Sequence, residues 1–268
     1  MRLLITGAAG NIGRVLRSAC ARQYALVRLA DRAPQEDAGP GEECLQIDFG
    51  DLDATTVACE GIDCVVHLAG IPNEPFDNAW AQILPANIVN TYNVFEAARR
   101  SGVKRVVFAS SNHVVGFYRR ERTVGVDEPP RPDSYYGVSK VFGEALGRLY
   151  ADKHAISVAC LRIGSFRRAP EDRRQLATWL SHDDAAQLLR RCIDAPPFHF
   201  LVAYGVSDNG QTLWGDDGLD FLGFVPKDKP DPNSPAVVNA PAEDPIALMF
   251  HGGSLCAMEF TGNPDRID

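Results

Sequence analysis

No uncharged apolar run in the 268 residues reaches the ~18 that a bilayer span needs, which excludes a helical membrane bundle. There is no Cys-x-x-Cys pair either: the seven cysteines are scattered, and Cys59 and Cys64 are the nearest two. No cysteine–histidine spacing suits zinc, so no metal is expected, and the thiols read as reduced, several of them small core residues. Basic charge is in deficit, with 27 Lys and Arg against 35 Asp and Glu, a net −8. That argues against nucleic acid and anionic membranes as partners, and an anionic small substrate would need a local cation. Only Met1-Arg2 precede the first apolar run, so no secretory leader is expected and a cytoplasmic protein is the default. No repeat is visible. With 45% hydrophobic and 23% charged residues, the composition is that of a globular chain rather than a disordered one.

What is present alternates. Leu3-Leu4-Ile5, Ala25-Leu26-Val27 and Cys64-Val65-Val66-His67-Leu68 look like parallel strands, lacking the alternation of a half-solvated one. Stretches of helical length lie between them, at 12–23 and 53–60. The pattern continues through a helix at 83–100, a strand at 103–110, a helix at 139–153 and a strand at 156–162. Strand, helix, strand, helix predicts an α/β fold: a doubly wound, Rossmann-like parallel sheet in one domain spanning 1–268. After about residue 164 the texture becomes polar and Arg-rich, and 205–245 is rich in Gly, Pro, Asp and Asn. This part is expected to form a small C-terminal substrate-capping lobe, with one late strand at 198–203 rejoining the sheet.

Gly7-Ala8-Ala9-Gly10-Asn11-Ile12-Gly13 follows the first strand and opens a helix. Glycines let the backbone approach a pyrophosphate, and the helix start presents free N–H groups with partial positive charge. Asp31 ends the second strand, where a carboxylate accepts hydrogen bonds from ribose hydroxyls and repels a 2′-phosphate; NAD is favoured over NADP. Arg32 beside it is either a solvated residue or a partner for such a phosphate. Asp48-Phe49, at the end of a third strand, either holds the adenine or, in the case of Asp48, caps the next helix.

Tyr136-Gly137-Val138-Ser139-Lys140 places a phenol and an ammonium on one helix face. A cation there would lower the phenol pKa from ~10 toward neutrality and make a general base. Tyr135 stands off that face. Ser110-Ser111-Asn112-His113 follows a central strand at its carboxyl end, where open α/β sheets place ligands, and its row of polar side chains suits a polyhydroxylated substrate. His67, inside an apolar strand, reads as a satisfied core histidine.

With Gly7-x-x-Gly10-x-x-Gly13, Ser111 and Tyr136-x-x-x-Lys140 in order, the chain resembles an extended short-chain dehydrogenase/reductase. It resembles the uronate dehydrogenase branch in particular, through residues 108–113 and 136–140, Arg162-Ile163-Gly164-Ser165, and Thr178-Trp179-Leu180-Ser181-His182-Asp183-Asp184. The resemblance implies NAD-dependent oxidation of a cyclic aldohexuronate, glucuronate or galacturonate, at C1 to the aldarolactone. Tyr136 would take the hydroxyl proton as hydride leaves, Ser111 would orient that hydroxyl, and Lys140 would hold the cofactor ribose. Asn112, His113 and Ser165 would meet the sugar, and Arg174 would clamp its carboxylate, with Arg167, Arg168 and Arg173 as neighbouring candidates. Further cofactor contacts carried over are Asn11 and Ile12, Leu68-Ala69-Gly70, Ile163 and Asn87, the last either reaching the nicotinamide or bracing the backbone. The alternative is a nucleotide-sugar epimerase, dehydratase or other sugar reductase of the same superfamily. Family members self-associate, so a homo-oligomer is expected; the helix 83–98 either serves that contact or only faces the core. One departure stands out: after Gly70-Ile71, where the family supplies a small polar residue, this chain has Pro72-Asn73-Glu74-Pro75.

Overall fold

Leu3, Leu4 and Ile5 are all fully buried, which consecutive strand residues achieve only when both faces of their sheet are covered. The computed structural model describes residues 1–35, 37–215 and 219–268. The main sheet has seven parallel strands. In chain order they are β1 (Arg2–Thr6), β2 (Leu26–Asp31), β3 (Glu42–Gln46), β4 (Cys64–His67), β5 (Arg105–Ser111), β6 (Ser157–Ile163) and, after a two-stranded ribbon of β7 (Ser165–Phe166) and β8 (Trp179–Leu180), β9 (Phe200–Gly205). Their spatial order is β3-β2-β1-β4-β5-β6-β9. The chain winds outward from β1 in one direction and then returns to continue from β4 in the other. The crevice between those two halves opens at the carboxyl ends of the strands.

Helices α1 (Asn11–Cys20) and α7 (His182–Asp194) cover one face, where Leu16 and Cys20 join Leu188, Leu189 and Cys192. On the other lie α2 (Leu52–Cys59), α4 (Asn90–Arg100) and α5 (Tyr135–His154), where Ala58, Val94, Phe95 and Ala151 form the core. The doubly wound expectation holds. Helix α5 begins four residues before the expected 139, because Ser134 caps it by accepting the Gly137 N–H at 3.0 Å. Strand β3 carries no apolar run (Glu-Glu-Cys-Leu-Gln), which suits an outermost strand. Of the segment after 164, α7 and β9 both return to the sheet, and α7 therefore belongs to the body rather than to the lobe. The 178–184 motif stitches the two together: Asp184, fully buried, accepts from Ser207 Oγ and from the backbone N–H groups of Lys227 and Asp228. Residues 216–218 of the lobe lie outside the described residues. Among the described residues, no helix is long and apolar enough to cross a membrane. Six of the seven cysteines are buried.

His67 is the core histidine expected from its strand. Its ring nitrogens lie 2.8 Å from Thr6 Oγ1 and 3.2 Å from Thr91 Oγ1, and burial, aided by the Lys140 ammonium, lowers its pKa from 6.5 to about 3. Below pH 6.5 the unfolded chain accepts a proton that the folded ring refuses, so this group removes stability as pH falls toward 3. His67→Gln should therefore shrink the difference in unfolding free energy between pH 7 and pH 5 by about 2 kcal/mol, measured by urea titration.

Candidate active site

The glycine loop is built for close approach. Gly7 has φ +70°, and a Cβ there would stand 2.6 Å from the Ala69 nitrogen; one on Gly13 would stand 2.4 Å from the Gly7 carbonyl oxygen. Helix α1 then starts with no side-chain cap on its N–H groups and no acidic residue in its first turn. An uncapped, unneutralised helix start beside a tight glycine turn fits a pyrophosphate. Asp31 braces the same loop, Oδ2 accepting the Ala9 N–H and Oδ1 the Ala33 N–H, both at 2.9 Å. Each oxygen keeps a second lone pair for a ribose hydroxyl. Arg32 is exposed. The residues present thus fit a dinucleotide.

Other cofactor candidates divide. Asp48 does not cap α2; Asp51 does, accepting from Asp53 and Ala54, while Asp48 is exposed and holds the Gly50 N–H. The Phe49 side chain packs in the core with Ala58 and Val94, and its carbonyl accepts from Asn93 Nδ2 at 2.8 Å. Leu68 and Ala69 both donate their N–H to Thr6 Oγ1 at 3.2 Å, which ties the end of β4 to β1. Asn87 lies on a π-helical turn (Leu84–Val89) and braces backbone: Oδ1 accepts the Ile71 N–H and Nδ2 donates to Ile71 O and Ser139 Oγ.

Ser111 and Ile163 are paired across β5 and β6 at the carboxyl edge. The Tyr136 side chain, only 7% exposed, bonds Ser111, and its ring lies 5.5 Å from the Lys140 Nζ. Lys140 donates to Ala109 O at 2.8 Å. The Tyr-x-x-x-Lys face and Ser111 therefore meet as expected, but the charge balance differs from expectation. Burial raises the Tyr136 phenol to about 12 against the opposing Ser111 bond, and Asp133 adds to the rise. Burial also lowers Lys140 to about 8. Desolvation outweighs the ammonium, whose hydrogen bond goes to a carbonyl and not to the phenol.

Asn112 is fully enclosed, and the orientation that satisfies its amide donates to Ile163 O at 3.1 Å and accepts from Arg174 Nη2 at 2.8 Å. Arg174 also donates through Nε to His251 O at 2.8 Å. Arg167, Arg168 and Arg173 are exposed, and Arg167 pairs with Glu171. Of the four arginines, Arg174 alone joins the constellation. Ser165 is half-buried, and its hydroxyl is shared with Thr178 at 2.9 Å. His113 stands edge-on to Tyr136, with ring centroids 5.8 Å apart.

Three acidic residues were not found by reading the sequence. Glu74, in the divergent loop, accepts the N–H of Tyr136 at 2.7 Å and of Tyr135 at 3.3 Å, docking that loop on the start of α5. The sequence marked its segment, Pro72-Asn73-Glu74-Pro75, as a departure but not the role of its carboxylate. Asp133 faces His113. Glu144 receives Ser110 Oγ at 2.6 Å and Arg162 through two bonds of 2.9 Å, a buried network directly behind Ser111. Nothing local marks it, though position 144 is one helical turn beyond Lys140.

The model of the NAD-dependent epimerase/dehydratase family matches residues 3–189. A uronate dehydrogenase of Agrobacterium fabrum is 44% identical over 267 residues, covering 98% of this chain and 97% of that protein. An L-arabinose 1-dehydrogenase (NAD(P)(+)) of Haloferax volcanii is 40% identical, over 88% of this chain and 99% of that one. Among solved structures, a tyrosine-to-alanine mutant of Agrobacterium tumefaciens uronate dehydrogenase complexed with NAD superposes with a TM-score of 0.88 at 42% identity, over 96% and 97% of the two chains. Removing the docking carboxylate tests the local geometry: Glu74→Ala should cost about 1 kcal/mol in urea unfolding, the scale of a lost helix cap, and speed proteolytic cleavage within 71–78.

Proposed function

The chain belongs to the NAD-dependent epimerase/dehydratase family, on its uronate dehydrogenase branch, and from that premise we propose how its site oxidises a sugar acid. It is an NAD-dependent oxidoreductase acting on a uronate. The substrate is a cyclic aldohexuronate, glucuronate or galacturonate, and the product is the aldarolactone. The observation that carries this reading is Arg174, a guanidinium hydrogen-bonded to Asn112, the residue that follows Ser111. In a protein of net charge −8, an anionic sugar needs such a partner, and a guanidinium meets a carboxylate with two parallel hydrogen bonds.

NAD, when bound, supplies the acceptor for the hydride from C1. Gly7, Gly10, Asn11, Ile12 and Gly13 would hold its phosphates and Asp31 its adenosine ribose; Lys140 would hold the other ribose. The Leu68-Ala69-Gly70 and Ile163 backbones would wall the nicotinamide, with Asn87 fixing that wall through Ile71. Tyr136, in its phenolate form after giving up its own proton to solvent, takes the proton from the C1 hydroxyl as general base, and Ser111, already bonded to Tyr136, orients the hydroxyl and supports the charge that develops on it. Asn112, His113 and Ser165 face the remaining hydroxyls. We assign the outer faces of α3 (Ala79–Ile83), α4 and α5, with exposed Trp80, Tyr92, Tyr135 and Val138, to contact between copies of the chain. The inner face of α4 is core. A chain that sediments as a monomer removes that assignment.

Tyr136→Phe should retain NAD binding, read by fluorescence titration, and lose about 10²–10⁴-fold in turnover, because the proton acceptor goes while the ring stays. Arg174→Ala should weaken glucuronate by about 10–100-fold, the scale of a hydrogen bond to a charged group, and leave a neutral aldose almost unaffected. Equal loss on both substrates would show that Arg174 is not the carboxylate clamp.

A further inference from the structure

Asp133 lies one residue before the cap of α5, and its side chain is wholly buried. Its oxygens have separate donors. Oδ1 accepts the Ser134 hydroxyl at 2.8 Å; because that hydroxyl's oxygen already accepts the Gly137 N–H, its single hydrogen is free to point at Asp133. Oδ2 lies 2.6 Å from His113 Nδ1. The surrounding chain is shaped to this carboxylate: a Cβ on Gly116 or on Gly252 would stand 1.9 Å from Oδ2, and those two glycines are themselves joined by a backbone hydrogen bond of 2.9 Å.

An ionised carboxylate only accepts, so the hydrogen in the short bond belongs to His113 Nδ1. In the neutral ring the other nitrogen, Nε2, then carries a lone pair. The ring stands edge-on to Tyr136.

Resting on the uronate-oxidising reading, we infer that Asp133 is a positioning residue: it locks His113 with Nδ1–H in the carboxylate, so that Nε2 accepts a sugar hydroxyl beside Tyr136. This also orients the substrate. An acceptor at Nε2 repels a carboxylate, whereas Arg174 attracts one, so the acid end of the sugar turns toward Arg174 and a hydroxyl toward His113. The opposite tautomer would offer an N–H at that place and remove the distinction.

The direct test is the ¹⁵N spectrum of the histidine ring nitrogens in the full chain, with the His113 signals identified by their loss in His113→Gln. The expected result is hydrogen on Nδ1 in the wild type and a shift toward the Nε2-bound form in Asp133→Asn. Kinetically, Asp133→Asn should reduce kcat/KM for glucuronate on the order of tenfold or more, as loss of a charged hydrogen-bond partner does, with KM for NAD unchanged. It should cost nothing further in a His113→Gln background. Hydrogen on Nε2 in the wild type overturns the inference, and so do losses from Asp133→Asn and His113→Gln that multiply. The wild-type spectrum needs no variant, so the inference remains decidable if Asp133→Asn fails to fold. Wild-type protein that reduces no NAD with either uronate overturns the functional reading instead, a separate outcome because the ring spectrum requires no substrate.

Discussion

The close approach of α5 to β5 is the constraint on which the site depends. A Cβ on Gly143 would stand 2.2 Å from the Phe108 ring, and one on Gly147 would stand 2.9 Å from Val158. With both positions bare, the helix settles directly on the strands, and its first turns overhang their carboxyl ends. Lys140 then reaches Ala109 O, and Tyr136 reaches Ser111. A further turn along, Glu144 meets Arg162 of β6 and Ser110 of β5, which fixes the rotation of the helix as well as its height. Breaking such a buried pair from one side costs several kcal/mol, so the alignment of the phenol with the serine is held by groups that never touch a ligand.

Burial acts on Tyr136 and Lys140 in opposite directions, raising the phenol of the one and lowering the ammonium of the other. Both shifts favour the neutral form, as desolvation requires. The acidic residues around the site are each matched to donors: Glu74 to two backbone N–H groups, Asp133 to His113 and Ser134, Glu144 to Arg162 and Ser110. Each of these three acids is thus hydrogen-bonded locally, whereas Arg174 is a cation hydrogen-bonded to neutral groups, Asn112 and His251 O.

Much of this was legible in advance because it is local. The glycine turn, the placing of Asp31 at a strand end and the one-face spacing of Tyr136 and Lys140 all follow from helix and strand periods. The resemblance of segments such as 108–113 supplied Asn112, His113 and Arg174. Where the residues alone left alternatives, the fold shows the contacts made: Asn87 braces Ile71, Asp51 rather than Asp48 caps α2, and Arg174, unlike its three exposed neighbours, bonds Asn112. None of these depends on residue type. Each depends on which element lies opposite.

The sequence by itself determined the alternation of strands and helices, the cradle for a dinucleotide and the pairing of phenol with ammonium, because hydrophobic period, glycine stereochemistry and i, i+4 spacing act within a few residues. Tertiary structure alone decided the burial of Tyr136 and Lys140 and the partners of the acids. Asp133 is 20 positions from His113, and Glu74 is 62 from Tyr136. Hydrogen bonding and desolvation act through space, and only the wound sheet brings those groups within reach of one another.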